Sequence, residues 1–304
     1  MPQYALGSMP FALTAGACAI GILSACDVTI KDGDIKGVSM RHTASQEWSR
    51  HYPLADGGRV EIINPNGPIE VAVGPAGAVD IAAVLEAGGM TEARAKQHLS
   101  EVNLEETVTP DHVRVATVRK YARDGGLEVS FKITMPENAR LEMTGNNGQL
   151  KAGGLRGHVK AMVVNGGIEL TGLRGTVDAA GVNATVSAKM AEVSGPLRLE
   201  ATNGRVALQI PKTAKATIDA RSVNGNITSS GLTAAETTGR RIRTLESQIN
   251  GGGPQIDLRV TNGRISIEGV DGLTSPGSPK GLPSPPSPPS PPSPPTPGPE
   301  FKSR

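Results

Sequence analysis

Aromatic side chains are almost missing from this sequence: among 304 residues only three Phe, three Tyr and Trp48 occur, and none lies between Leu141 and Gly272. A core over that stretch has to be built from Val, Ile, Leu and Ala, and it offers no exposed aromatic platform of the kind that grips sugar rings. Cysteine is as scarce. Cys18 and Cys26 are the pair, so nothing after residue 26 can form a disulfide, a thiolate metal site or a thiol nucleophile. Neither sign of charge dominates, because 31 Lys and Arg stand against 29 Asp and Glu for a net charge of +2. That balance argues against nucleic acid as a partner and gives no overall pull toward an anionic membrane. The five His, at 42, 51, 98, 112 and 158, have no ligand spacing, and no Lys-Ser/Thr phosphate motif follows a glycine-rich stretch. No metal and no cofactor is expected. What is plentiful is glycine, with 38 residues, and proline, with 24, which favour turns and extended chain over a helical bundle.

Residues 1–26 contain no Asp, Glu, Lys or Arg, and Phe11 to Ala25 is a run of small and apolar residues. It reads as the apolar core of an export signal, too short and too weakly apolar for a membrane span. The run ends in Leu23-Ser24-Ala25-Cys26, which resembles the lipobox of bacterial lipoproteins, where the signal is cut before a Cys that carries lipid. Cys26 is the expected lipidation site and the membrane the partner reached through it, in a periplasmic or surface-facing envelope location. The lack of a basic n-region departs from that pattern and leaves Met9 open as the start. An ordinary cleaved signal and a buried N-terminal segment are the alternatives.

Gly154-Leu155-Arg156-Gly157 returns as Gly172-Leu173-Arg174-Gly175, and an Asn recurs at 147, 165, 183, 203, 224 and 262, usually before Gly. A period of 18–21 residues indicates a solenoid, in which each inward position stacks on itself and must stay apolar. Six residues before the Asn stand Leu141, Val159, Val177, Leu197, Ile218 and Ile256; three after it stand Leu150, Ile168, Val186, Val206, Ile227 and Ile265. Four before it the column is again apolar, from Met143 to Leu258. Between these lies an outward column, Glu142, Lys160, Asp178, Arg198, Asp219 and Asp257, so the strand period of two holds in every rung. Each rung is read as strand, corner, strand and Gly-rich return, with Asn147, Asn165, Asn183, Asn203, Asn224 and Asn262 as structural corners. Their amides can also stack into a ladder, although a turn role alone explains them. Taken in chain order, the outward column alternates in sign from Glu142 to Asp219, which sets register against like-charge stacking.

An earlier rung surrounds Asn66, with Val60-Glu61-Ile62 before it and Ile69-Glu70-Val71 after. A long insertion follows, with a helix expected over Thr91 to Leu99 and strands over Val113 to Val118 and Leu127 to Met135; it is expected to cover the first end of the stack. From Asn224 to Asn262 two periods pass with one degenerate rung or loop between. The resulting organisation is 1–26 signal with lipobox, 27–58 linker, 59–140 first rung and β-rich capping insertion, 141–272 β-solenoid, and 273–304 a disordered Pro/Ser-rich tail that favours polyproline II. The fold class is all-β, a single-chain β-solenoid.

The Asn-Gly repeat over residues 59–270, the Phe131-Lys132-Ile133-Thr134-Met135-Pro136 strand and the Thr261-Asn262-Gly263-Arg264-Ile265-Ser266-Ile267 ending together resemble the bacterial putative-adhesin family with a β-helical domain of unknown function. The resemblance implies a β-solenoid in an envelope or secreted protein and brings no catalytic residues with it. A non-enzymatic, lipid-anchored envelope protein is the first expectation, its solenoid serving as a rigid adhesin-like or scaffold surface toward an envelope or host-surface ligand. The alternatives are a polysaccharide-acting β-helix enzyme, with the insertion from Ala72 to Asn138, which supplies Tyr121 and Phe131, shaping a cleft, and self-association through the solenoid ends into filaments.

Overall fold

The computed structural model of the protein describes residues 20–25, 41–120, 126–232 and 243–271. The expected Pro-rich tail, Cys26 and Tyr121 lie outside the described residues. In chain order the elements are β1 (Ile20–Ala25), β2 (Arg41–Pro53), β3 (Arg59–Asn66), β4 (Ile69–Val73), β5 (Ala78–Gly89), α1 (Glu92–Ser100), β6 (Val102–Thr109), β7 (His112–Arg119), β8 (Leu127–Met135), β9 (Arg140–Gly153), β10 (Val159–Leu173), β11 (Val177–Met190), β12 (Leu197–Pro211), β13 (Ala216–Ser230), β14 (Thr244–Ile249) and β15 (Gln255–Val270). All the strands belong to one continuous sheet.

The long strands β9 to β13 and β15 each run through an Asn corner, so every one supplies two arms to the stack. Their pairing is parallel, with corner on corner: Asn147 beside Asn165, Asn165 beside Asn183, and Asn183 beside Asn203. The inward columns of both arms are buried in one cluster, and the return segments close it with Leu155 and Leu173, both fully buried. At about 25 cal/mol per Å² of apolar surface removed from water, this column of aliphatic side chains is the main favourable term. A one-residue slip of any rung would bury the charged outward column instead.

The order of rungs is where the structure departs from the sequence reading. Neighbours run β9, β10, β11, β12, β15, β13, β14, so the last rung in the chain lies between two earlier ones. Asn203 and Asn224 therefore both face Asn262 rather than each other. The expected degenerate rung is β14, which pairs antiparallel with the first arm of β13. To travel from β14 on one side of β13 to β15 on the other, the chain must cross the start of β13. Asn250-Gly251-Gly252 makes that crossing with φ of 51, 88 and 83°, a conformation that glycine adopts freely and asparagine tolerates. The Asn250 amide donates to the carbonyls of Lys212 and Ala214, both at 2.8 Å, which clamps the crossing onto the loop below it.

The outward charge column is corrected accordingly. Arg198 faces Asp257, not Asp219, and the two aspartates are neighbours. Their repulsion is offset by Arg259, whose guanidinium lies 3.4 Å from each, and by Arg221 at 3.0 Å from Asp219.

At the other end the two arms diverge. The first arm of β9 continues through β3, β7 and β6, while the second continues through β4, β8, β5, β2 and β1. Asn64, fully buried at the fork, holds both branches: its amide donates to the carbonyls of Gly67 at 3.2 Å and Val129 at 2.7 Å, and its oxygen accepts from Thr117 at 3.2 Å. The helix α1 is capped by Thr91, whose hydroxyl accepts from the Arg94 N–H. Residues 41–53 of the expected linker form β2, paired antiparallel with β5 along its length. Its inward positions include Ala44 and Tyr52, both buried, and Gln46, Trp48 and Arg50, partly buried. The Tyr52 hydroxyl donates to Glu106 of β6 at 2.6 Å, and Arg50 lies 3.6 Å from the same carboxylate, so the two branches meet again through a polar contact. Burial, and next the hydrogen bond to Glu106, push the Tyr52 phenol far above its ordinary range.

Candidate binding face

The expected structural corners come together as a ladder. Each amide nitrogen donates to the next oxygen: Asn165 to Asn147 at 3.0 Å, Asn183 to Asn165 at 2.9 Å, Asn203 to Asn183 at 3.0 Å, Asn262 to Asn203 at 2.8 Å and Asn224 to Asn262 at 2.8 Å. Asn66, at the fork, instead donates to the Leu127 carbonyl. Corner and ladder roles thus coexist. The following glycines, 148, 166, 204 and 263, have φ of 140 to 148°. Ala184 replaces glycine in one rung and turns inward, 5% exposed. Room for its methyl comes from Gly181, where an added Cβ would lie 2.5 Å from the Ala184 Cβ.

A concave surface lies on the outer face of the second arm, a trough of 890 Å³ crossing β2, β5, β8, β4, β9 and β10. Strand alternation builds it as two rows. One row reads Lys132, Glu70, Lys151 and Glu169, each the cross-strand neighbour of the next. The other reads His51, Asp80, Thr134 and Ala72, continued by Gly153 and its neighbour Thr171. Small side chains in the second row form the floor. Six strands at about 4.8 Å span roughly 24 Å, long enough for an extended chain lying across them.

Two ion pairs form within this trough. His51 Nδ1 lies 2.6 Å from Asp80, and Lys151 lies 3.7 Å from Glu70. Glu70 and Glu169 are two strand spacings apart with Lys151 between them, whereas glycosidase carboxylates must face a shared substrate bond with nothing but substrate or water between. Ser49 precedes His51 by two positions on one strand face, a separation of about 6.8 Å, beyond the 2.6–3.2 Å reach of a nucleophile–base hydrogen bond. Phe131, expected to help shape a cleft, is fully buried under the sheet. The sequence repeat reaches only β4, β9 and β10 in these rows, because β2, β5 and β8 come to this face through pairings that leave no repeat in the sequence.

A family model, Toastrack DUF4097, matches residues 19–268, most of the chain. The chain belongs to the Toastrack DUF4097 family. The resemblance drawn from the Asn-Gly repeat leads to the same place, a family of unknown function. No curated protein matches the chain. Among solved structures, a "putative cell adhesion protein" from Clostridium sporogenes ATCC 15579 is 9% identical at a TM-score of 0.46, covering 74% of this chain and 100% of that one. A "putative adhesin" from Bacteroides fragilis NCTC 9343 is 11% identical at a TM-score of 0.36, covering 74% and 97%. Among the described residues of this Toastrack chain, no helix is long and apolar enough to cross a membrane.

Proposed function

We propose that this protein is a non-enzymatic component of the bacterial cell envelope, anchored through lipid on Cys26, whose rigid stack presents the outer face of its second arm to an extended polar ligand. The observation that carries the reading is the trough itself: alternating charges beside a floor of small residues, with each acid flanked by a base. Such a surface offers complementary partners to a polymer bearing both amide or hydroxyl groups and charges, and no pair of groups is left to act as acid and base. The names given to the similar solved structures agree with a surface role. Removal of residues 1–25 on lipidation would also remove β1 and leave β2 as the edge of the sheet.

Fractionation and protease shaving of intact cells test the anchor. Wild type should remain with membranes and be cut on intact cells, while Cys26→Ser should appear in a soluble fraction with an unchanged β-sheet spectrum. Protection of wild type until the envelope is opened would move the protein to a periplasm-facing scaffold role. The binding reading is tested by Lys151→Glu, which places three acids in a row at positions 70, 151 and 169 and should abolish retention on purified envelope glycopolymers. Cleavage of those polymers by the purified protein would sink the non-enzymatic reading.

A further inference from the structure

A second cleft lies at the opposite end of the stack, on the corner edge rather than on a sheet face. Two positions after each corner Asn, neighbouring rungs carry Thr185, Arg205, Arg264 and Asn226 in spatial order. Arg205 and Arg264 are direct cross-strand neighbours, so their backbones stand about 4.8 Å apart. Arg243, just before β14, completes a cleft of 850 Å³, its carbonyl held by the Ser222 N–H at 2.8 Å. All three arginines are exposed. Among the described residues none of the three guanidinium groups makes an ion pair or hydrogen bond, and no carboxylate lines the cleft.

The contrast with the first arm of the same rungs is informative. There, the adjacent Asp257 and Asp219 are bridged by Arg259, with Arg221 held on Asp219. Like charges directly opposite one another destabilise a sheet, and on that face the sequence neutralises them. At the corner it leaves two arginines side by side with nothing to offset them. Gly204 and Gly263 line the cleft without side chains, so a ligand can come close to the backbone there.

We infer that this corner cleft binds a phosphate group, carried as an ester on a polymer or lipid or free in solution. Guanidinium forks match the oxygens of a phosphate in bidentate geometry, and a bound dianion relieves the repulsion between Arg205 and Arg264. The site is separate from the outer-face trough and does not depend on what that trough holds.

The test uses the full chain carrying Cys26→Ser, so that no lipid on residue 26 contributes. Two probes are compared with sodium chloride at equal ionic strength: inorganic phosphate, read by thermal melting and calorimetric titration, and vesicles of 30% phosphatidylglycerol in phosphatidylcholine, read by co-sedimentation. Phosphate should raise Tm, and Arg205→Gln or Arg264→Gln should each weaken binding at least about tenfold, the scale of one lost charge-assisted pair. In chloride alone, Arg264→Gln should melt at or above the wild-type temperature, because it removes a like-charge neighbour; this shows that lost binding is not lost folding. Lys151→Gln, in the trough, should leave the phosphate response unchanged. A response to vesicles without one to inorganic phosphate supports the site and identifies a lipid headgroup as its source. Equal responses in wild type and Arg264→Gln, or no response to either probe, overturns the inference.

Discussion

The placement of the last rung inside the stack can be decided by engineered disulfides. Ala207, Ser266 and Thr228 occupy the same outward position on β12, β15 and β13, and Ser266 is the direct neighbour of both others. With strands about 4.8 Å apart, Cα atoms at 207 and 266 stand at one strand spacing, inside the 4.4–6.8 Å range of disulfides, whereas 207 and 228 stand at roughly 9.6 Å, beyond reach without backbone movement. In a background with Cys18 and Cys26 replaced by Ser, Ala207→Cys with Ser266→Cys should oxidise readily, and so should Thr228→Cys with Ser266→Cys. Ala207→Cys with Thr228→Cys should stay reduced. The 207–266 bridge would close a loop of about 59 residues, worth about 4 kcal/mol in the chain-entropy model, and should appear as a higher urea midpoint that dithiothreitol abolishes. Assay by thiol-labelling mass shifts after mild oxidation reads all three pairs at once. Efficient bridging of 207 to 228 with none of 207 to 266 would mean that the rungs stack in chain order, and the inserted-rung argument would fail.

Gly263→Ala should lower stability by about 2–4 kcal/mol, from strain at φ 148° and displacement of a ladder bond, because a Cβ there would press into the Gly204 carbonyl oxygen; Ala184→Gly, at the one corner without glycine, should cost only about 1–2 kcal/mol, and urea midpoints compare the two. Asn183→Ala removes one donated and one accepted ladder bond and should cost about 1–2 kcal/mol, while a surface Asn→Ala control should be near neutral. Reversing Asp178 to Lys places three bases in succession at 160, 178 and 198 and should cost more than Asp178→Ala; equal melting temperatures would count against the charge column. At Glu142, burial opposes ionisation, but the hydrogen bonds and charges of Lys160 and Arg59 outweigh it and hold the carboxyl below its ordinary range. Its contribution is therefore present at neutral pH and lost as pH falls from the ordinary carboxylate range through the lowered folded-state value, so the melting-temperature gap between wild type and Glu142→Gln should be open at pH 7 and narrow steadily as the solution is acidified.

The rung interior was legible because every inward position repeats the same demand. Leu141, Val159, Val177 and their successors stack on one another, so a period in sequence is a contact in space. Rung order was not legible for the same reason. Ile218 and Ile256 satisfy their column equally well in either order, and Arg198 meets an aspartate whether Asp219 or Asp257 comes next. The clue lay in the Asn250-Gly251-Gly252-Gly253 run, too permissive a turn for an ordinary return, together with the paired arginines at 221 and 259 that an adjacent pair of aspartates requires. The strand β2 carries no clean apolar alternation, because Gln46 and Arg50 interrupt its inward positions; Arg50 and Tyr52 are accommodated by Glu106, a residue 54 positions from Tyr52 that no local pattern connects to it. The trough inherits that gap, since half of its rows come from strands that join the sheet outside the repeat.

Inserting the last rung also changes what the chain's ends can do. In a solenoid stacked in chain order, the final rung is terminal, and a tail following it leaves from the end of the stack. Here Val270 lies beside Pro211, and Lys212 pairs with Asp271 at 2.7 Å, so the chain leaves the sheet from the flank, between β12 and β13. The end beyond β13 is closed along its first arm by β14, whose antiparallel direction cannot continue the parallel Asn ladder. A strand added beyond β14 would meet an edge that runs antiparallel to the rungs. The described second arm of β13, from Ile227 to Ser230, has β15 as its partner on one side and lies outside the reach of β14. Among the described residues, β14 caps the first arm alone. A construction that caps the first arm and brings Arg243 to the corner through the same short strand places the phosphate cleft beside the capped end, where a ligand meets a fixed edge rather than a growing one.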